Sequence, residues 1–300
     1  MILPALFLTL AGAAHAGSLA WIWQPGQPRA WHVEITRQRI DGDWHLGKRN
    51  LEARAVETNL AVDMVCEATG IFRDGWALDC RFPQVALSGV AVPGEEEALR
   101  EIFAEYRGLL HGAVAHVEVR ANGRVREFDL DAGSERTQRE AEQADCLRML
   151  MLRPFALLEL ELPKGGDDAG RAWKQGGSPL LIQLRSSYGT AGGVLVEHSV
   201  ASRDGARVAI DTEGHGTVAY GLAVESDGTK TIALELAGHA EFDATAGTLL
   251  SRETMVTGRF TAGGAGSGPA DHFREVGTLQ AIETAAPPAP APEAAPPSTP

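Results

Sequence analysis

The chain has 300 residues, a formal net charge of −13, an apolar fraction of 44%, 34 glycines and three cysteines. That apolar share supports a globular core, and the glycines with many short apolar runs point to sheet and turns. A negative surface repels nucleic acid and anionic lipid headgroups, so neither is an expected partner.

Met1 to Ala16 read as a signal peptide. An apolar run, Ile2 to Leu10, leads into small residues and the A-x-A pattern Ala14-His15-Ala16. Cleavage after Ala16 and a periplasmic or secreted product are expected. Leu10-Ala11-Gly12 begins like a lipoprotein signal, but Ala13 stands where the lipid-bearing cysteine would be. Lipid anchoring is therefore not expected. No remaining segment has the roughly 18 continuous apolar residues of a span, so no integral membrane span is expected after cleavage.

Residues 17–28 form an arm carrying Trp21 and Trp23, which together with Trp31 are expected to pack at the end of a sheet. His32 to Thr36 alternates as a strand, and Asp41-Gly42 is a hairpin signal. Ala61 to Cys66 and Trp76 to Cys80 flank a turn near Arg73-Asp74-Gly75. Equal spacing from Arg73 places Cys66 opposite Cys80, and a disulfide between them is expected in an oxidising compartment. Val85 to Val92 reads as one more strand.

Gly94 to Leu110 is the first helix. Leu99, Ile102, Phe103, Tyr106, Leu109 and Leu110 build one apolar stripe, Glu95 to Glu97 suit its positive end, and Gly112 suits its stop. A hairpin, Ala113 to Leu130, turns at Asn122-Gly123. The second helix starts near Thr137, where Thr137-x-x-Glu140 fits a capping box, and Pro154 is expected to end it. Cys146 lies mid-helix and reads as a buried thiol. Periodicity leaves Leu158 to Leu162 open between strand and short helix.

Residues 163–178 read as a polar loop, and 179–283 as strand after strand. Turn signals fall at Asp204-Gly205, Glu213-Gly214, Asp227-Gly228, Ala246-Gly247 and Gly263 to Gly268. The Ala/Pro-rich tail, 284–300, cannot form a core and is expected to be disordered. One echo links Glu127-Phe128-Asp129 to Glu241-Phe242-Asp243. Both a duplicated β-unit and shared turn chemistry account for it.

Three His-x-Glu pairs, His32/Glu34, His116/Glu118 and His239/Glu241, would each share a strand face. A zinc site needs three or four convergent ligands, and solvent-facing alternation gives the same pattern, so no metal residues are assigned. Gly214-His215-Gly216-Thr217-Val218-Ala219 matches the dinucleotide fingerprint in letters only. Strand-like residues follow it instead of a helix, so a hairpin turn is expected there and no cofactor. No G-x-S-x-G or S-x-x-K motif occurs, and no catalytic residue is assigned.

Leu162-Pro163, Gly170-x-x-Trp173 and Phe242-Asp243-x-x-x-Gly247-x-Leu249 resemble features of a group of uncharacterised exported β-rich bacterial proteins. In those proteins an LP…GxxW loop separates a front half with helices from a β-rich back half. The layout is also similar to the half-barrels of periplasmic lipoprotein and lipid carriers, whose helices cover the concave face of an antiparallel sheet. The resemblance implies no catalytic residues, and Ala13 departs from the lipidated members.

The expected fold is α+β: a large curved antiparallel sheet, half-barrel or open barrel, with two packed helices. Residues 17–162 and 179–283 are expected to belong to one domain. The expected function is a non-enzymatic exported protein binding an apolar small molecule between sheet and helices. An envelope structural module with a protein partner and an exported hydrolase with an unrecognised site are the alternatives.

Overall fold

The computed structural model describes residues 19–41, 54–72, 74–131, 138–163, 172–176, 190–220, 230–261 and 271–283. The signal segment, Cys146's side chain and the 284–300 tail lie outside them. The strands are β1 (Arg29–Asp41), β2 (Ala55–Phe72), β3 (Gly75–Ala91), β4 (Val114–Arg120), β5 (Val125–Asp131), β6 (Ala172–Gly176), β7 (Thr190–Asp204), β8 (Arg207–Tyr220), β9 (Lys230–Asp243), β10 (Thr248–Thr261) and β11 (Asp271–Ile282). The helices are α1 (Glu96–Leu110) and α2 (Gln138–Leu158). All eleven strands form one antiparallel sheet in the order β5-β4-β3-β2-β1-β11-β10-β9-β8-β7-β6. The first and last strands thus pair in the middle. The edges, β5 and β6, are consecutive in the chain and α2 lies between them in sequence. The sheet does not close, and the expected α+β fold with two helices is borne out.

Strand alternation decides which face is covered. Trp31, Val33 and Ile35 of β1 oppose Met64, Val62 and Leu60 of β2, and all six are buried. Their neighbours His32, Glu34 and Thr36 point to the other face, as the two-residue period requires. Trp21 shows that the sheet curls around this core. A Cβ on Gly123, in the β4–β5 turn, would lie 2.0 Å from Trp21 Nε1. The Phe242 ring of β9 stands 5.3 Å from the same indole. β4 and β9 are six strand steps apart, about 29 Å on a flat sheet. One indole can touch both only if the sheet bends that distance away.

The arm holding Trp21 is fixed at both ends. Trp21 Nε1 donates to Leu160 O at 2.9 Å, and Ile22 N donates to Gly247 O at 3.0 Å. Arg29 donates to Gly247 O and Ala246 O, both at 2.8 Å, and to Ile22 O, with its guanidinium 5.0 Å over Trp23. Trp21, Trp23 and Trp31 are all buried. They pack, as their sequence suggested.

α1 lies on β3 and buries Leu99, Phe103, Tyr106 and Leu110. Its stop is the left-handed Gly112, φ 81°. α2 departs from expectation. Pro154 sits inside it, and the helix continues to Leu158. Proline removes one ladder hydrogen bond. Leu150, Met151, Leu152, Phe155, Leu157 and Leu158 are all buried, and that packing outweighs the lost bond. Residues 159–163 are neither strand nor helix, although Leu160 and Leu162 are buried.

Further expectations are corrected. Trp76–Cys80 and Val85–Ala91 belong to one strand, β3, which ends before Val92. Val65 pairs with Arg81 and Asp63 with Gln84, so Phe82-Pro83 is absorbed as a bulge. β4 pairs β3 only as far as Arg81, which leaves Pro83 on an edge where its missing N–H is tolerated. Cys66 and Cys80 are directly opposed, with Cα atoms 4.0 Å apart, and form a disulfide. The 163–178 loop contains a strand, β6, whose polar composition hid it. Asp41 ends β1 and β2 begins at Ala55, and the expected turn at Gly42 lies outside the described residues. Glu213-Gly214 and the Gly214–Ala219 fingerprint lie inside β8 rather than in a turn. A Cβ on Gly214 would touch Val196 Cγ2 at 3.3 Å and Leu236 Cβ at 3.4 Å, so this glycine opens space between strands. The turns at Gly123, Gly205 and Gly247 are as read, with φ of 89°, 59° and 59°. Asp227-Gly228 and Gly263–Gly268 lie outside the described residues.

Two substitutions test this packing. Trp21→Ala is expected to lower unfolding free energy by about 3–5 kcal/mol in urea melts. Gly277→Val is expected to destabilise by about 1–3 kcal/mol, because even its Cβ would come 2.8 Å from Leu157 Cδ1 of α2.

Candidate functional site

The inward residues under the C-terminal half of α2 change from apolar to polar. Across the sheet one lateral row runs Gly89, Thr58, Arg37, Glu275, Val256, Leu236, Gly214, Val196 and Gln175, from β3 to β6. Glu275 Oε2 lies 3.7 Å from Arg37 Nη1 and 3.5 Å from Nη1 of Arg153 on α2. One strand further along β10, the buried Arg252 donates through Nη1 to Leu157 O at 3.0 Å and to Glu159 O. Those carbonyls belong to the end of α2, whose last C=O groups have no helical partner. Arg252 thus holds the helix end to the sheet. Its burial pulls the guanidinium down to about 10, partly offset by Glu159.

Glu159 is buried beside it. Its Oε1 accepts from Val125 N at 3.1 Å, and burial pushes the carboxyl well above the usual range, the Val125 bond and Arg252 opposing. Arg252 Nε and Glu159 Oε2 are buried without a hydrogen-bond partner among the described residues. Both residues line a cavity of about 40 Å³, together with Arg153, Gln175, Thr254 and Glu275 among others.

Next to this cavity His198 of β7 is 1% exposed. Its Nδ1 lies 2.9 Å from Thr212 Oγ1 and its Nε2 2.7 Å from Gln175 Oε1. The neutral ring satisfies both, with Nε2–H donating to Gln175 and the threonine hydroxyl donating to Nδ1. Burial, and secondarily Arg252, lowers its pKa to about 3.

A second concavity lies at the other flank, between α1 and the free length of β3. It is an open groove of about 340 Å³ with Leu87, Ala91, Leu99 and Phe103 on its apolar part and Arg100 and Arg107 beside them. A Cβ on Gly89 would collide with Glu57 O of β2 at 2.2 Å and stand 3.3 Å from Phe103 Cζ, so this glycine serves the approach of β2 first and of α1 second.

The three His-x-Glu pairs sit on the face away from the helices, and each histidine faces an aspartate across strands. Nδ1–Oδ1 distances are 2.6 Å for His32–Asp63, 2.8 Å for His116–Asp79 and 2.7 Å for His239–Asp211. Hydrogen bonding to Asp63 raises the His32 pKa. Among the described residues no group of three or more His, Cys, Asp and Glu is placed to share an ion. Sequence reasoning singled out none of Arg252, Glu159, His198 or Gln175. The available signal was a charged residue at an inward strand position, as at Arg252 between Leu250 and Thr254.

No family model matches the chain, and no curated protein does. Among solved structures it is similar to a lipovitellin, described as showing lipid–protein interactions. The identity is 11% and the TM-score 0.46, over 90% of this chain and 26% of that one. The chain therefore spans about a quarter of the protein it matches. No described helix is long and apolar enough to cross a membrane.

His198 gives a pH signature. The unfolded chain binds its proton near pH 6.5 and the folded chain only near 3, so its contribution is complete above about pH 6.5 and is lost as pH falls. Denaturant melts of wild type and His198→Gln are expected to diverge by about 1.4 kcal/mol per pH unit below 6.5, the wild type falling faster.

Proposed function

We propose that the protein is a non-enzymatic binder of a small apolar or amphiphilic molecule, held between helix α1 and the sheet. One observation carries this reading: the open groove of about 340 Å³ between α1 and β3, apolar along Leu87, Ala91, Leu99 and Phe103. That volume is at the lower end of the roughly 300–1,000 Å³ of small-molecule pockets, which suits one medium-length acyl chain. The interior beneath α2 supports no comparable occupant, since its cavity measures about 40 Å³. Arg100 and Arg107 favour an anionic end on the ligand, although exposed charges of this kind add at most about 1 kcal/mol. The Cys66–Cys80 disulfide supports an oxidising, extracytoplasmic setting.

Titration of the full chain with a dansylated undecanoic acid tests the reading. Saturable binding is expected, weakened about tenfold or more by Ala91→Trp, which fills the groove from a half-buried position that pairs with the buried Ala55. An Arg100→Ala, Arg107→Ala double variant is expected to weaken it by up to about fivefold. No saturable binding, or equal binding by Ala91→Trp, overturns it.

A further inference from the structure

We propose that the free edge of β3 binds an extended peptide segment of a partner protein as an added strand. β4 pairs with β3 only from Gly75 to Arg81, so from Phe82 to Ala91 the strand has a neighbour on one side alone, β2. In an antiparallel pair every second residue turns its N–H and C=O away from the partner, and those groups need donors and acceptors elsewhere. Among the described residues, no hydrogen bond from outside the sheet reaches the backbone between Phe82 and Ala91. The edge of β5 is treated differently. There Glu159 Oε1 accepts from Val125 N at 3.1 Å, and Arg148 Nη2 donates to Phe128 O at 2.7 Å.

Long edges are normally guarded by charge, by proline or by bulges. Pro83 guards one end of this one. Beyond it Gln84-Val85-Ala86-Leu87-Ser88-Gly89-Val90-Ala91 holds no charged side chain and no proline. From Gln84 to Val90 its register with β2 is unbroken. Ser88 and Gly89 are exposed, and Val90 is 55% exposed. This is a regular, uncharged template of about eight residues, roughly 27 Å long.

The groove beside α1 runs along the same edge. Leu87, Ser88 and Gly89 all line it. Leu87 is buried on the inner face, whereas Ser88 pairs with Asn59 on the outer one. A groove that touches successive residues of opposite faces follows the edge of the strand. A strand added there would bond to β3 and turn alternate side chains toward Leu99 and Phe103 of α1. Arg100 and Arg107 line the same groove and favour an acidic residue among those side chains.

Width selects the occupant. α1 lies on β3, and a helix with its side chains is about 10 Å across, while paired strands are about 4.8 Å apart. A second copy joined through this edge would bring its own α1 into space that the first already fills. Its charge of −13 would add repulsion. The 284–300 segment of the chain is too rich in proline to supply the donors. A lone extended segment of another protein meets both limits, and strand addition is an established mode of peptide recognition. The backbone bonds are ones that an acyl chain in the groove cannot make, so the edge site stands apart from that reading, and the two occupants exclude one another.

The experiment uses the full chain and a fluorescein-labelled peptide, Thr-Val-Thr-Leu-Thr-Glu-Thr, followed by fluorescence anisotropy. Saturable binding is expected, with slowed hydrogen exchange at alternate amides of Gln84–Ala91 and no change along β5. Two N-methylated peptides test the pairing, one modified at the even positions and one at the odd. One of them is expected to lose at least about tenfold in affinity, and the other to bind within about threefold of the parent. Glu to Gln in the peptide is expected to weaken binding by up to about fivefold, and the Arg100→Ala, Arg107→Ala variant to abolish that difference. No saturable binding up to about 1 mM, equal losses from both methylation patterns, or unchanged exchange along Gln84–Ala91 overturns the proposal. A concentration-dependent dimer that protects the same amides also overturns it, by giving the edge to a second copy. The undecanoic acid titration involves no backbone pairing. Peptide binding that depends on the methylation pattern, without fatty-acid binding, leaves the edge site standing and removes the acyl-chain reading, and the reverse result does the opposite.

Discussion

Two distant parts of the sheet meet on one indole, and the rest of the molecule follows from that contact. The β4–β5 turn and β9 are six strands apart, yet both touch Trp21. The arm that carries Trp21 is pinned by Arg29, whose guanidinium caps carbonyls of the β9–β10 turn. Once these ends are drawn together, the sheet has an inside. An apolar stripe on α1 and a largely apolar α2 then have a surface to bury against. The topology assists: because β1 and β11 pair centrally, the two free edges belong to consecutive strands, and the segment between them is the one that carries α2.

A concave face that receives a helix diagonally cannot be uniformly packed. Where α2 comes closest, Gly277 removes the side chain that would meet Leu157. Where the helix ends, its carbonyls must find donors, and Arg252 supplies them from the sheet. The buried polar cluster is thus a consequence of ending a helix inside a curled sheet. The same arrangement leaves a small volume lined by Arg153, Arg252, Glu159 and Glu275.

The sequence revealed the elements whose cause is local. The α1 stripe, the Asn122-Gly123 and Ala246-Gly247 turns, and the Cys66–Cys80 opposition all depend on spacing or on a glycine's left-handed backbone. It misled where cause is tertiary. Pro154 reads as a helix end by its own chemistry, but Phe155, Leu157 and Leu158 are buried tightly enough to carry the helix past it. Gly214 and Gly216 read as a turn, and they are strand residues chosen for close approach between strands. β6 was hidden because Trp173 and Gln175 are its inward positions and only one of them is apolar. His198 was equally hidden. Its neighbours Thr212 and Gln175 come from two other strands, and nothing along β7 announces them.

The charge of the chain is also distributed in a way that a total does not express. On the outward face His32, His116 and His239 each lie against an aspartate from the next strand, and these pairs stand among further carboxylates such as Glu34. On the inward face Arg37 and Arg153 of α2 lie at Glu275, and Arg252 lies beside Glu159. A sheet places alternate residues on opposite sides, so histidine–aspartate pairs face solvent while arginines and glutamates meet on the inner face of the same strands. The net charge governs solubility and repels extended anions such as nucleic acid. It does not govern the inner face, where a low dielectric makes the nearest guanidinium and carboxyl count for more than distant acids across the sheet.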